Sequence, residues 1–207
     1  MRAAYIDQTG PPDVIRVGEL PTPLPGPGEV LVRVRAVALN PIDLYLRSGT
    51  IALARPFPYI VGCDLAGEVV GVGPGVKRFR EGDRVWGSNQ GLVGRQGVAA
   101  EYAAVAEEWL ETIPENVSDP AAAACALVGI TAWLGLFAFG RLTAGESVYV
   151  PGGAGGVGSM VVQMGKLVGA RVATSAGGEQ RITICRELGA DAVFHYKTDD
   201  LPAALKE

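Results

Sequence analysis

The sequence predicts an α/β protein in two parts, an irregular antiparallel β-domain over residues 1–118 and a parallel strand-and-helix domain over residues 119–207. Three observations carry that prediction. Apolar residues alternate with a period of two up to about Pro114, they recur at helical spacing from about Asp119, and a glycine-rich loop joins a strand to a helix in the second part.

The elements follow in order. "EVLVRVRAV" sets Val30, Val32 and Val34 on one face against Arg33 and Arg35 on the other, the pattern of a half-buried strand. Shorter runs at 3–6, 14–17, 66–72, 84–86 and 101–105 repeat it, and breakers such as "PTPLPGPGE" and "GVGPGVKRFREGD" demand turns between them. From Ser118 or Asp119, a capping pair followed by Pro120, good helix formers run toward Gly140, with a break expected near Gly129. "SVYV", a helix over about 157–168, "RVATS", a helix ending on Gly189 and "AVFHY" then complete a parallel βαβαβ unit. "TDDLPAALKE" starts a further helix, so the second domain reads as the first half of a doubly wound sheet, truncated in its C-terminal half.

Composition excludes several function classes. A formal net charge of -4 with interspersed signs offers no basic stripe, so nucleic acid is not an expected partner. The start of the chain has no apolar core of an export signal, and no uninterrupted apolar run reaches the ~20 residues of a membrane span, so no membrane partner is expected. Three widely spaced cysteines, Cys63, Cys125 and Cys185, argue against a disulfide framework and for a reducing, cytoplasmic location.

The loop in "VYVPGGAGGVGSMVVQ" spells Gly153-x-Gly155-x-x-Gly158 between strand and helix. Glycines there permit a tight turn and let backbone approach a pyrophosphate, which rests on the helix N-terminus. The loop residues Gly153, Ala154, Gly155, Gly156, Val157 and Gly158 are therefore candidate cofactor contacts, against the alternative of a purely structural turn. At the end of the second strand, where an NAD site usually keeps a carboxylate, stands Ser175, with Arg181 just beyond. A 2′-phosphate fits between a hydroxyl and a guanidinium, which favours NADP over NAD. An exposed helix residue is the other reading of Arg181.

Taken together, "ALNPIDLYLRSG", "PYIVGCDLAGEVVGVGPGVKRFREGDRV", "CALVGITAW", "GGAGGVG" and "ELGADAVFHYKTDDL" resemble, in order and spacing, the zinc-independent quinone oxidoreductases (the zeta-crystallin-like group) of the medium-chain dehydrogenase/reductase superfamily. The resemblance spans the whole chain. It implies a GroES-like β-domain followed by a Rossmann-type domain, NADPH as reductant, a quinone or conjugated carbonyl as the small-molecule partner, and a homodimer at full length. It also implies contacts near the cofactor from Gly129 and Thr131, and from Tyr196 around the adenosine phosphate. In the zinc alcohol dehydrogenases of the same superfamily, the catalytic ligand places correspond here to Asn40, to Cys63 with Asp64, and to the neighbourhood of Leu127. Asn and Leu cannot replace thiolates in a catalytic zinc site, which needs three protein ligands, so no metal is expected.

Without a Lewis acid, the expected substrates are those whose reduction spreads charge over a conjugated system, such as quinones, with enals, enones or enoyl thioesters as the alternative. "NPIDLYLRSG" reads as a strand end and the loop after it. It supplies Asn40 and Tyr45 as substrate-polarising groups, Tyr45 being the candidate proton donor, and Asp43 to orient its neighbours or cap the turn. Arg47 and Lys166 read as solvated charges, and His195 is given no catalytic role. A protein that binds NADPH without turning over is the remaining alternative.

Overall fold

The computed structural model describes Met1–Leu205. The described residues form two compact units, residues 1–127 and residues 128–205. As the sequence predicts, the first is built on antiparallel strands and the second on a parallel sheet.

In the first unit, β3 (Glu29–Ala38), β5 (Asp64–Val72), β6 (Arg84–Gly87), β7 (Tyr102–Ala106) and β8 (Leu110–Thr112) make one sheet in the order β7-β3-β5-β6-β8. The alternation in β3 does what its period requires: Val30 and Val32 are fully buried with Leu65, Val69, Val85 and Val105 in one cluster. Each such side chain contributes roughly 1.5–3 kcal/mol by leaving water. A second sheet, β2-β1-β4, joins β1 (Arg2–Ile6), β2 (Arg16–Glu19) and β4 (Tyr59–Ile60). The two-residue β4 and the three-residue β8 are too short to show a period, and Val14 closes a 3-10 turn instead of opening β2.

Two helical expectations need correction. The stretch after Asn40 is a helix, α1 (Pro41–Ser48), and not a loop. Asn-Pro-x-Asp, which looks like turn chemistry, is also a helix start: Asn40 takes the extended N-cap conformation, Pro41 occupies the first turn, and Asp43 accepts from the Asn40 amide. In addition, α2 (Asp119–Trp133) runs unbroken through Gly129, because the groups on either side keep their helical conformation, and the irregularity falls later in a π-helical stretch, Leu134–Phe139. By length and composition Asp119–Phe139 is apolar enough to cross a membrane, unlike any uninterrupted apolar run in the sequence. Its Ala122 and Ala123 are nonetheless buried against Ala66 and Ile113, and its Ala132 and Leu136 against Val161.

The second unit holds β9 (Ser147–Pro151), β10 (Arg171–Ala176) and β11 (Ala192–His195) in a parallel sheet ordered β11-β10-β9. Helices α3 (Gly156–Leu167) and α4 (Glu179–Glu187) are the crossovers, and a short α5 (Leu201–Ala204) follows. Val161 and Val162 of α3 and Ile182 and Cys185 of α4 are buried, while Leu167 at the end of α3 is exposed.

Candidate functional site

Two constellations stand out, one in each unit. In the first, the ends of three adjacent strands converge. Ala38 at the end of β3 pairs with Asp64 at the start of β5, and Leu65 pairs with Gly87 at the end of β6. Asn40 and Ser88, each just past its strand, are thereby delivered to Asp64. The Asp64 carboxylate, 1% exposed, accepts from Asn40 Nδ2 at 2.8 Å, Ser88 Oγ at 2.5 Å, Cys63 Sγ at 3.3 Å and the Leu127 amide of α2 at 3.1 Å. Asn40, Cys63, Asp64 and Leu127, dispersed over the sequence, thus meet at one point.

What that point can bind follows from its donors. Burial, reinforced by the Asp64 charge, pushes the Cys63 thiol up to about 12. Each Asp64 oxygen takes two hydrogen bonds, and Asn40 and Leu127 bring no anionic group. Among the described residues no three His, Cys, Asp or Glu side chains gather as a metal set.

Asn40 is held on two sides. Its side chain reaches Asp64, and its backbone amide donates at 2.7 Å to Asp43 Oδ2. Asp43 is 4% exposed, and its other oxygen is buried without a hydrogen-bond partner. Burial pushes its carboxyl up to about 6, helped by the Asp64 charge and opposed by the amides of Asn40 and Gly62. Asp43 therefore braces α1 from inside. Tyr45, on the same helix, is 47% exposed and free to face a substrate. Arg47 is not a solvated charge: it donates to the Gly10 carbonyl and ties α1 to the chain before β2. A separate 540 Å³ cavity bounded by Leu20, Phe57, Ile60, Gln90 and Tyr102 contains none of Asn40, Asp43 or Tyr45.

The second constellation is the loop between β9 and α3. Gly155 is the extended N-cap of α3, and the loop closes on itself through Gly155 N to Gly152 O at 2.8 Å. The first-turn amides of Gly156, Val157 and Gly158 have no intrahelical acceptor, and no acidic side chain occupies that turn. Glycine is needed at two places for want of room: a Cβ on Gly153 would overlap Thr174, and one on Gly158 would overlap the Gly152 carbonyl. The cradle fits a phosphate, since bare backbone amides and the helix dipole face the same opening. Ala154 packs its methyl toward Ala176 and Ile182, below the loop.

Around this loop the predicted residues separate. Ser175 is 2% exposed and its hydroxyl bonds Tyr149 Oη at 2.9 Å. Its carbonyl accepts from Gly152 and Gly153 at 2.9 and 3.3 Å and holds the loop. Arg181 is exposed in the first turn of α4, and Tyr196, half exposed just past β11, places its hydroxyl against Gly177. Glu179 also opens α4, so a carboxylate does stand near this edge. Gly129 is buried in α2 beside Met164, and Thr131 is exposed on that helix. Lys166 is not merely solvated: its Nζ pairs with Asp191 at 2.7 Å. His195 meets Thr198 at 3.1 Å. Sequence reasoning missed Ser88, Tyr149 and the central place of Asp64; the one available signal was a carboxylate at the mouth of a strand in "CDLAGEVV", next to a cysteine.

Comparison with known proteins bears on both units. Residues 26–115 match the alcohol dehydrogenase GroES-like domain family and residues 156–207 the zinc-binding dehydrogenase family. The chain is 34% identical over 198 residues to a quinone oxidoreductase from Homo sapiens, covering 95% of this chain and 59% of that protein. It is 40% identical over 183 residues to a 2-methylene-furan-3-one reductase from Solanum lycopersicum, covering 84% of this chain and 47% of that one. Among solved structures, the Escherichia coli quinone oxidoreductase complexed with NADPH aligns with a TM-score of 0.89 at 29% identity, over 100% of this chain and 62% of that one. An NAD-dependent alcohol dehydrogenase aligns at 0.93 and 34% identity, over 100% and 66%. The chain therefore spans between 47% and 66% of the length of these relatives.

Proposed function

We propose a function from one premise: the chain belongs to the medium-chain dehydrogenase/reductase superfamily, whose two domain families it carries in order. It supplies the substrate-polarising and nucleotide-binding parts of an NADPH-dependent, zinc-independent reductase of quinones. The observation that carries this is the gathering of Asn40, Cys63, Asp64 and Leu127 into a saturated hydrogen-bond network, where the chemistry offered to a substrate is an amide donor and not a Lewis acid.

NADPH, when bound, supplies a hydride. The α3 first-turn amides and the Gly153–Gly158 loop would hold its diphosphate, Arg181 and Tyr196 would take the adenosine 2′-phosphate, and Gly129 and Thr131 would contribute contacts near the cofactor. Ser175 acts through its carbonyl, fixing the loop. Asn40 donates to the substrate oxygen on which negative charge develops, and the exposed Tyr45 hydroxyl delivers the proton. Asp43 positions α1 and does not touch substrate. A cytoplasmic location belongs to the same proposal, supported by three unpaired cysteines. So does a homodimer of the full-length protein, which sedimentation checks.

A second reading, reduction of the carbon-carbon bond of an enone, is favoured by the tomato relative's name. Following NADPH oxidation with a benzoquinone and with a simple enone separates the two. We expect turnover with the quinone, undiminished by a strong chelator. Loss of turnover on chelation overturns the metal-free assignment, and nucleotide binding without turnover on either acceptor leaves a binding protein in its place.

A further inference from the structure

We propose that Asp64 is the positioning residue of the site: its carboxylate sets the rotation of the Asn40 amide and so decides which edge Asn40 shows to a substrate. The catalytic part of this rests on the reading of Asn40 as the polarising amide. The geometric part does not.

An amide side chain has a donor end and an acceptor end, and nothing intrinsic to Asn40 decides between them. An ionised carboxylate accepts only. With Asp64 Oδ2 at 2.8 Å, the NH₂ group of Asn40 must turn toward it, one of its two hydrogens is taken, and the second remains for a ligand. The Asn40 backbone amide donates to Asp43 Oδ2 at 2.7 Å and the Asn40 side chain caps the Asp43 backbone amide, so its oxygen edge faces α1 while its NH₂ edge faces Asp64. Asp64 is itself immobilised by donors from three further segments, Ser88 after β6, Cys63 before β5 and the Leu127 amide of α2. The arrangement is the inverse of a metal site: donors converge on a buried negative charge, where metal ligands converge on a positive one. A charge of that sign cannot stabilise a developing oxyanion directly, so its effect on reactivity passes through the orientation it gives the amide.

The chain has only three asparagines, Asn40, Asn89 and Asn116, which makes the test clean. With isotope-labelled asparagine in the full chain, the two side-chain amide protons of Asn40 should be widely split by NMR. The bonded proton should exchange with water at least about 10-fold more slowly than those of the exposed Asn116, as a buried bond to a charge requires. Asp64→Asn should abolish both features and leave Asn89 and Asn116 unmoved. Fast exchange at Asn40 in the wild type overturns the proposal even if the variant does not fold, and so does an unchanged Asn40 signal in a folded variant.

Turnover supplies the readout that a merely structural role would not move. Asp64→Asn should lower kcat about 30-fold for a weakly electrophilic enone and only about 3-fold for a benzoquinone, with KM within about twofold, since the weaker acceptor depends more on polarisation. Equal losses for both acceptors overturn positioning in favour of simple structural support. A wild type that turns over neither acceptor sinks the proposed reductase function, and the Asn40 amide signals still decide the geometry.

Discussion

The Asp64 network and the glycine loop build sites from opposite materials. Around Asp64 three of the four donors are side chains with a required chemical character, an amide, a hydroxyl and a thiol, and the fourth is the Leu127 backbone amide. Around α3 the functional groups are backbone amides that any residue carries, and the sequence matters by what it leaves out, a Cβ at Gly153 or Gly158. The first site should therefore fail when a group's charge or hydrogen-bonding changes at constant volume. The second should fail when volume is added without any change of charge.

The sharpest way to break that contrast is Gly158→Ala. Its methyl would meet the Gly152 carbonyl, so the loop must open, and we expect NADPH affinity to fall by more than about 100-fold with a loss of about 1–3 kcal/mol in stability. Gly155→Ala, whose methyl would stand 3.2 Å from the same oxygen, should cost far less. Calorimetric titration of both variants checks the order, and equal losses would mean that packing is not what selects glycine. Next in size is Asn40→Ala, expected to reduce kcat about 100-fold while NADPH binding stays unchanged. A parallel loss of nucleotide affinity, read by the same titration, would erase the division of labour between the two sites.

How much of this was legible in the sequence follows the same contrast. The glycine loop could be read directly, because its signal is local: strand, glycines and helix are contiguous. The Asp64 network could be read only in part. Asn40, Cys63, Asp64 and the neighbourhood of Leu127 emerged through family resemblance, but their meeting depends on strand register across β3, β5 and β6, which no local pattern encodes. Helix α1 was hidden for a different reason. Asn-Pro and Asp serve turns and helix starts equally well, and burial of Leu46 and Asp43 decides between them only in the folded chain. Ser175 sat at the predicted strand end, yet its hydroxyl faces Tyr149, which lies on β9, 26 residues earlier.

Asp43 sharpens the comparison through pH. Folding raises its pKa from 3.8 to about 6, so the folded protein holds this proton more tightly than the unfolded chain does. The stability it confers is complete below about pH 4 and is lost as pH rises through about 6. Asp43→Asn keeps an oxygen for the Asn40 amide and removes the titration, so between pH 4 and pH 7 the variant should gain up to about 3 kcal/mol on the wild type. Urea unfolding at both pH values measures this, and parallel pH dependence would contradict a buried, proton-holding Asp43. The smallest effect is expected at the exposed rim of the nucleotide site. Arg181→Ala should weaken NADPH about 10-fold and NADH less than about twofold by fluorescence titration, and equal losses would remove the 2′-phosphate assignment.

The central claim is that backbone amides at the start of α3 receive the diphosphate of a pyridine nucleotide. NADPH titrated into the uniformly labelled chain and followed through the backbone amide resonances tests it directly. The account predicts saturable shifts concentrated at Gly153 to Gly158, with Gly177 and Tyr196 following at the same ligand concentrations. No saturable shift at those amides, or shifts confined to the first unit, would contradict it.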